Sequence, residues 1–201
     1  MNKGNLIIIN GAVNSEKTNT CRAMQDILDE PYVLLGLDYF SKITPSKQAK
    51  PLPKELQQSD SDYINISTAP LFNDVIYTSF KAISAYLDEG NNVISDQLFG
   101  VQEWFQDALH IFHPYHVFFV GLHFPAAEHT KRAQPSSDHD IIVPEFIGNS
   151  NASALNHSKM VYDFEINSTN LSVQEIAQQI ISAYKKTPNP TAFKTLADKL
   201  L

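Results

Sequence analysis

Residues Asn5 to Thr20 read N-L-I-I-I-N-G-A-V-N-S-E-K-T-N-T, and this stretch constrains the fold more than any other. Leu6 to Ile9 is a continuous run of β-branched residues and leucine, the pattern of a strand buried on both faces of a parallel sheet. The run stops at Asn10-Gly11, and Lys17-Thr18 follows six residues after Gly11. From Lys17 the spacing of Cys21, Met24, Ile27 and Leu28 is helical. Strand, loop and helix in this order come within one residue of a phosphate-binding loop, G-x-x-x-x-G-K followed by Ser or Thr. In that motif backbone N–H groups wrap the phosphates, the lysine reaches the β- and γ-phosphates, and the hydroxyl binds Mg²⁺. The candidate nucleotide-binding residues are therefore Gly11, Asn14, Ser15, Glu16, Lys17 and Thr18, with Glu16 standing where the motif has its second glycine.

A chain of 201 residues suits one domain that buries a core without covalent staples. Its formal net charge is -7 and its Lys and Arg residues are scattered. That leaves no electrostatic footprint for nucleic acid or an anionic membrane, and points to small-molecule or protein partners. The single cysteine, Cys21, excludes an internal disulfide framework, suits a reducing compartment and reads as a buried helix residue. The N-terminal apolar run is too short for a signal peptide, and nowhere do about 18 consecutive apolar residues occur. The expectation is a soluble, unprocessed, cytoplasmic protein. N-x-S/T triplets at Asn65, Asn151, Asn156, Asn167 and Asn170 are read as chance products of an Asn- and Ser-rich chain.

Along the rest of the chain, Pro31 ends the first helix and Tyr32 to Leu35 forms a second short strand. Gly36-Leu37-Asp38-Tyr39-Phe40 follows at its carboxyl edge, where open α/β sheets bind ligands. Residues 41–69, with prolines at 45, 51 and 53, read as a long excursion covering the site. Pro70 opens a helix with Val75, Ile76, Phe80, Ile83 and Leu87 on one face, and Gly90 stops it. Asn92 to Asp96 is a brief apolar strand ending in an acid, the form of the strand whose Asp holds Mg²⁺ in phosphate-binding-loop enzymes; a turn role for Asp96 stands beside that reading. A helix over Val101 to His110 and a buried strand over Val117 to Leu122 follow. Pro125 to Ala133 reads as helical, and 134–156 as polar and loop-like, so that about 125–156 resembles a lid. Met160 to Ile166 alternates as an edge strand, Leu171 to Tyr184 is an amphipathic helix, and the tail after Pro188 and Pro190 forms a short docking helix. This alternation implies an α/β fold of three layers, a parallel sheet with helices on both faces, in one domain over 1–201.

The chain resembles the chloramphenicol phosphotransferase-like proteins of the P-loop kinase class. The resemblance runs from Leu6 to about Tyr184 and is carried by I-I-I-N-G before the loop, E-P-Y-V-L-L-G-L-D ending at Asp38, N-V-I-S-D-Q-L-F around Asp96, and F-F-V-G-L before the lid helix. His157-Ser158-Lys159-Met160-Val161-Tyr162-Asp163 is similar to the family's signature of His, spacer and Tyr-Asp. The resemblance implies a five-stranded parallel sheet and transfer of the γ-phosphate of ATP to a hydroxyl of a small molecule. It further implies that Lys17 binds phosphate, that Thr18 and Asp96 hold Mg²⁺, and that Asp38 is the base that takes the substrate's hydroxyl proton. Phosphoryl transfer depends on positioning and on neutralising the γ-phosphate, which is what a carboxylate at the nucleophile and a cation at the phosphate supply.

The chain departs from the family pattern at Glu16 and in the lid, where an Arg-Gly-Asp-Arg cluster aligns with Ser136-Ser137-Asp138-His139. Lys131 and Arg132 lie near enough in sequence to substitute for the missing arginines, so Arg132 joins the candidate nucleotide contacts. At an effective dielectric of about 20, two unit charges about 4 Å apart repel by roughly 4 kcal/mol, about a thousandfold in affinity. A carboxylate at Glu16 therefore keeps a second reading open, a catalytically impaired pseudo-kinase that serves as a binding or regulatory module. Other readings are bland alongside specific: Asp38 as a turn residue, Tyr39, Phe40 and Phe72 as core or acceptor pocket, and His110, His113 and His116 as surface residues or metal ligands interrupted by Pro114.

Overall fold

The computed structural model describes residues 2–12, 15–42, 70–99, 102–123 and 160–201. Its strands are β1 (Asn5–Gly11), β2 (Tyr32–Leu34), β3 (Asn92–Gln97), β4 (His116–His123) and β5 (Phe164–Asn167). The helices are α1 (Lys17–Ile27), α2 (Leu37–Lys42), α3 (Pro70–Asp88), α4 (Gln102–Phe112), α5 (Val173–Lys186) and α6 (Ala192–Leu200). The strands form one five-stranded sheet in the order β2-β3-β1-β4-β5, with every neighbouring pair parallel.

The apolar run in β1 is continuous because both faces of the sheet are covered. Leu6 and Ile8 enter one core with α3, α4 and α6, while Ile7 and Ile9 enter the other with α1 and α5. In the first core the rings of Phe99 and Phe105 lie 5.1 Å apart, and Phe193 of α6 meets Phe119 of β4 at 5.3 Å. The tail is therefore a docked helix, as its sequence predicts. Cys21 is fully buried, and Gly90, at φ 83, takes the left-handed conformation that ends α3.

Several boundaries differ from the sequence reading for identifiable reasons. Met160 to Asp163 lies outside the strand, because the Asp163 carboxylate occupies the Phe119 N–H at 2.9 Å where a longer β5 would pair. Leu35 lies beyond β2 yet keeps a ladder bond, its N–H donating to Ile94 O at 3.0 Å. Residues 37–42 form α2, although the sequence shows no helical period there. The last main helix begins at Val173 rather than Leu171 because Ser172 and Glu175 form a capping box, Ser172 N–H to Glu175 Oε2 at 2.8 Å and Glu175 N–H to Ser172 Oγ at 3.2 Å. Residues 41 and 42 of the expected excursion at 41–69 end α2, while 43–69 and the lid-like 125–156 lie outside the described residues. Among the described residues no helix is long and apolar enough to cross a membrane.

Candidate functional site

The carboxyl ends of the parallel strands bring the chemistry-bearing residues to one edge of the sheet. At β1 the backbone is crowded: a Cβ on Gly11 would lie 2.8 Å from Leu122 O and 2.9 Å from Ser15 Oγ. Glycine is required there by close approach of β4 and of the loop itself. The carbonyl of Ala12 then gathers the loop, accepting from Ser15 Oγ at 2.8 Å, from Ser15 N–H at 3.3 Å and from the Lys17 ammonium at 2.6 Å. The serine is buried, so this local knot is fixed rather than solvent-averaged.

Glu16 takes a backbone conformation that favours glycine. It is the N-cap of α1 with φ 65 and ψ 20, in the left-handed region. That conformation costs an L-residue roughly 1–2 kcal/mol, and the tight loop holds it. The Glu16 carboxylate accepts from the Asn19 amide at 2.7 Å, along the outside of the first helical turn. Its N–H path into α1 is intact, with Thr20 N–H donating to Glu16 O at 2.9 Å.

The hydroxyl of Thr18 donates to Asp96 Oδ2, which joins the first turn of α1 to the carboxyl end of β3. Asp96 is buried, and a Cβ on Gly36 would fall 1.4 Å from its Oδ1, so only glycine lets the end of β2 lie against this carboxylate. Ser95 Oγ donates to Leu35 O at 2.7 Å and accepts from Gln97 Nε2 at 2.7 Å, which pins the same end of β2 from the other face. Asp38 follows on the first turn of α2. Beneath the pair, burial first and the Asp96 charge second push the Cys21 thiol well above its usual range, so this cysteine stays protonated.

The structure thus brings Gly11, Ser15, Glu16, Lys17, Thr18 and Asp96 together, with Asp38 in the first turn of α2, two residues after the Gly36 that lies against Asp96. Asn14, Lys131, Arg132, His157 and the Ser136–His139 stretch lie outside the described residues. Tyr39 is exposed on α2 and Phe40 half-buried. The three spaced histidines do not converge: His113 Nδ1 lies 3.0 Å from His110 O, whereas His116 Nε2 donates to Pro188 O at 3.0 Å. Among the described residues no group of three or more His, Cys, Asp and Glu side chains is placed to hold a metal ion. Gly36 and Asn10 are site residues that the sequence alone does not single out. Their signals, a glycine before an acid and a polar residue ending an apolar strand, are too common to be read without the fold.

The family model that describes chloramphenicol phosphotransferase-like proteins matches residues 4–185, from the start of β1 through nearly all of α5. The chain belongs to that family. A Mycobacterium tuberculosis (strain H37Rv) relative named "Putative O-phosphotransferase" is 30% identical over 210 residues, covering 100% of this chain and 91% of the relative. Among solved structures, this family member is similar to the M. tuberculosis APS kinase in complex with AMPPNP and APS, with TM-score 0.62 and 14% identity over 92% of this chain and 99% of that one. Thymidylate kinase from Candida albicans gives TM-score 0.62 and 13% identity over 93% of each chain. Shikimate kinase from Aquifex aeolicus gives 0.55 and 15% over 90% of this chain and 97% of that one. At these identities the likeness is one of fold, and the fold is that of P-loop kinases.

Proposed function

We propose that this protein is an ATP- and Mg²⁺-dependent phosphotransferase acting on a hydroxyl of a small molecule. The observation that carries the reading is the Thr18 to Asp96 hydrogen bond, one residue beyond Lys17, at the carboxyl edge of the central strands. Family membership and the name of the M. tuberculosis relative support it.

The donor set fits the ion. Mg²⁺ prefers oxygen ligands, keeps several waters and is commonly held by one or two carboxylates plus substrate phosphates, so a Thr hydroxyl and one Asp suffice without a dedicated cage. When bound, the ion supplies charge neutralisation at the phosphates. Lys17 offers its ammonium from the first turn of α1, and the amino end of that helix, capped by the left-handed Glu16, is the kind of terminus that favours an anion. In this reading Asp38 accepts the proton of the acceptor hydroxyl, Arg132 assists at the transferring phosphate, residues 41–69 cover the acceptor and 125–156 act as a lid, all within one domain over 1–201.

One observation favours the second reading, a pseudo-kinase scaffold. The Glu16 carboxylate sits at the amino end of α1, where an incoming phosphate would meet like charge. Isothermal titration with ATP and Mg²⁺, on the wild type and on Glu16→Gly, separates the two. Wild-type binding supports the phosphotransferase; binding by Glu16→Gly alone supports the scaffold; binding by neither overturns the nucleotide site itself.

A further inference from the structure

Asn10 is the last residue before Gly11, and its side chain is fully buried in the middle strand of the sheet. A buried primary amide is costly unless both ends are paired, at about 1–3 kcal/mol for each group left without a partner. Here the carbonyl end accepts the Phe99 N–H at 3.0 Å, and the amide end donates to the Tyr162 hydroxyl at 2.8 Å. The orientation is determined by chemistry: a backbone N–H only donates, so it takes Oδ1, and Nδ2 is left for the tyrosine. Burial pushes the Tyr162 phenol above its usual range, which keeps it neutral and able to act in a neutral hydrogen bond.

The two partners come from opposite sides of β1. Phe99 lies on the exit of β3, three residues after Asp96, and Asn10 itself pairs with Gln97 on that strand. Tyr162 precedes β5, and its ring lies flat against Gly121 of β4, where an added Cβ would come within 2.8 Å of two ring carbons. On the other side of β1, Gly121 is the register partner of Asn10. One amide therefore ties the root of the phosphate-binding loop to the strand end that carries Asp96 and to a tyrosine seated on β4.

We propose that Asn10 and Tyr162 are positioning residues that hold the loop leading to Thr18, on the first turn of α1, at the spacing from Asp96 that a divalent cation requires. Neither residue is assigned a contact with nucleotide. The inference rests on reading this site as one for a Mg²⁺-nucleotide complex.

The test is the gain in ATP affinity on adding Mg²⁺, measured by titration calorimetry with Mg²⁺ and with EDTA, alongside thermal unfolding. Tyr162→Phe keeps the ring on Gly121 and removes only the hydroxyl. Its Mg²⁺-dependent gain is expected to fall about tenfold, in line with the loss when partners behind a metal ligand are removed, while affinity in EDTA stays near wild type. Tyr32→Phe serves as the control, since it breaks the 2.8 Å hydroxyl pair with Tyr184 at the opposite end of the sheet. It is expected to lower the unfolding temperature and leave the Mg²⁺ gain intact. A Tyr162→Phe protein that loses stability but keeps the full Mg²⁺ gain overturns the positioning role and leaves the proposed function standing. A wild type that binds no ATP at all overturns both.

Discussion

The Thr18 hydroxyl donates to Asp96 Oδ2 across 78 positions of sequence, and so joins the helix after the loop to the end of a neighbouring strand. If the pair holds a cation, each partner is needed. Asp96→Asn and Thr18→Ala should each weaken Mg²⁺-dependent ATP binding by at least the roughly 10- to 100-fold that losing a partner behind a metal ligand costs. Titration calorimetry checks this, and an unchanged Mg²⁺ dependence in Asp96→Asn would remove the metal role.

Glu16 is the residue on which the loop's competence turns. Glu16→Gly relieves roughly 1–2 kcal/mol of left-handed strain but restores backbone freedom to the unfolded chain, which offsets about 0.5–1 kcal/mol. The net is an unfolding temperature higher by ~2 °C for a chain of this size. Glu16→Ala keeps φ 65 and loses the Asn19 contact, so it should melt slightly below wild type. Removing the carboxylate should also tighten ATP binding in both variants, by about tenfold rather than a thousandfold because the Glu16 carboxylate is held by Asn19 in an exposed contact where water screens it.

Gly36 leaves no room for a side chain, because its Cβ would overlap Asp96 Oδ1 at 1.4 Å. Gly36→Ala should destabilise by about 3 kcal/mol, the upper range for forcing atoms into a packed interior. Urea unfolding measures it, and a loss under about 1 kcal/mol would show that β2 can retreat from the carboxylate at little cost.

Asp163 gathers three backbone donors: Phe119 N–H at 2.9 Å, Thr191 N–H at 2.8 Å and Ala192 N–H at 3.0 Å. It caps α6 in place of Thr191, whose own side chain makes no capping bond. Asp163→Ala should cost about 2–3 kcal/mol, as expected for lost charge-assisted hydrogen bonds. Denaturant unfolding provides the check; a wild-type midpoint would mean that apolar packing of Phe193 alone secures α6.

The capping box gives a pH-dependent signature. The Ser172 N–H and hydroxyl hold the Glu175 carboxyl below its ordinary value of 4.5, so its contribution to stability is present above that value and is lost as pH falls through the lower, folded-state value. Unfolding temperatures of wild type and Glu175→Gln, compared across the acid range, should therefore converge at low pH, where the protonated carboxyl is as neutral as the amide. A gap that persists unchanged would show that the carboxylate adds nothing to the cap.

The fold was legible wherever a segment's burial imposes its own period. Leu6 to Ile9, Val117 to Leu122 and the amphipathic stretch ending at Tyr184 each carry their environment in local composition. α2 was not legible, since six residues bear too little period, nor was the shortness of β5, which depends on a carboxylate taking a β4 donor.

In the site, the sequence by itself determined that a strand, a loop with Lys17 and Thr18, and a helix follow one another, because motif spacing is local. It also located Asp96 at the end of an apolar strand. Tertiary structure alone decided what those residues meet. Glu16 adopts a left-handed backbone where Ser15 and Lys17 close the loop on Ala12 O, a constraint absent from the identity of residue 16. Asn10 finds Tyr162 across 152 positions only because parallel pairing in the order β2-β3-β1-β4-β5 sets β4 beside β1. Periodicity records which side of an element is buried; which side chains face each other there depends on topology and register, and these emerge only when the strands assemble.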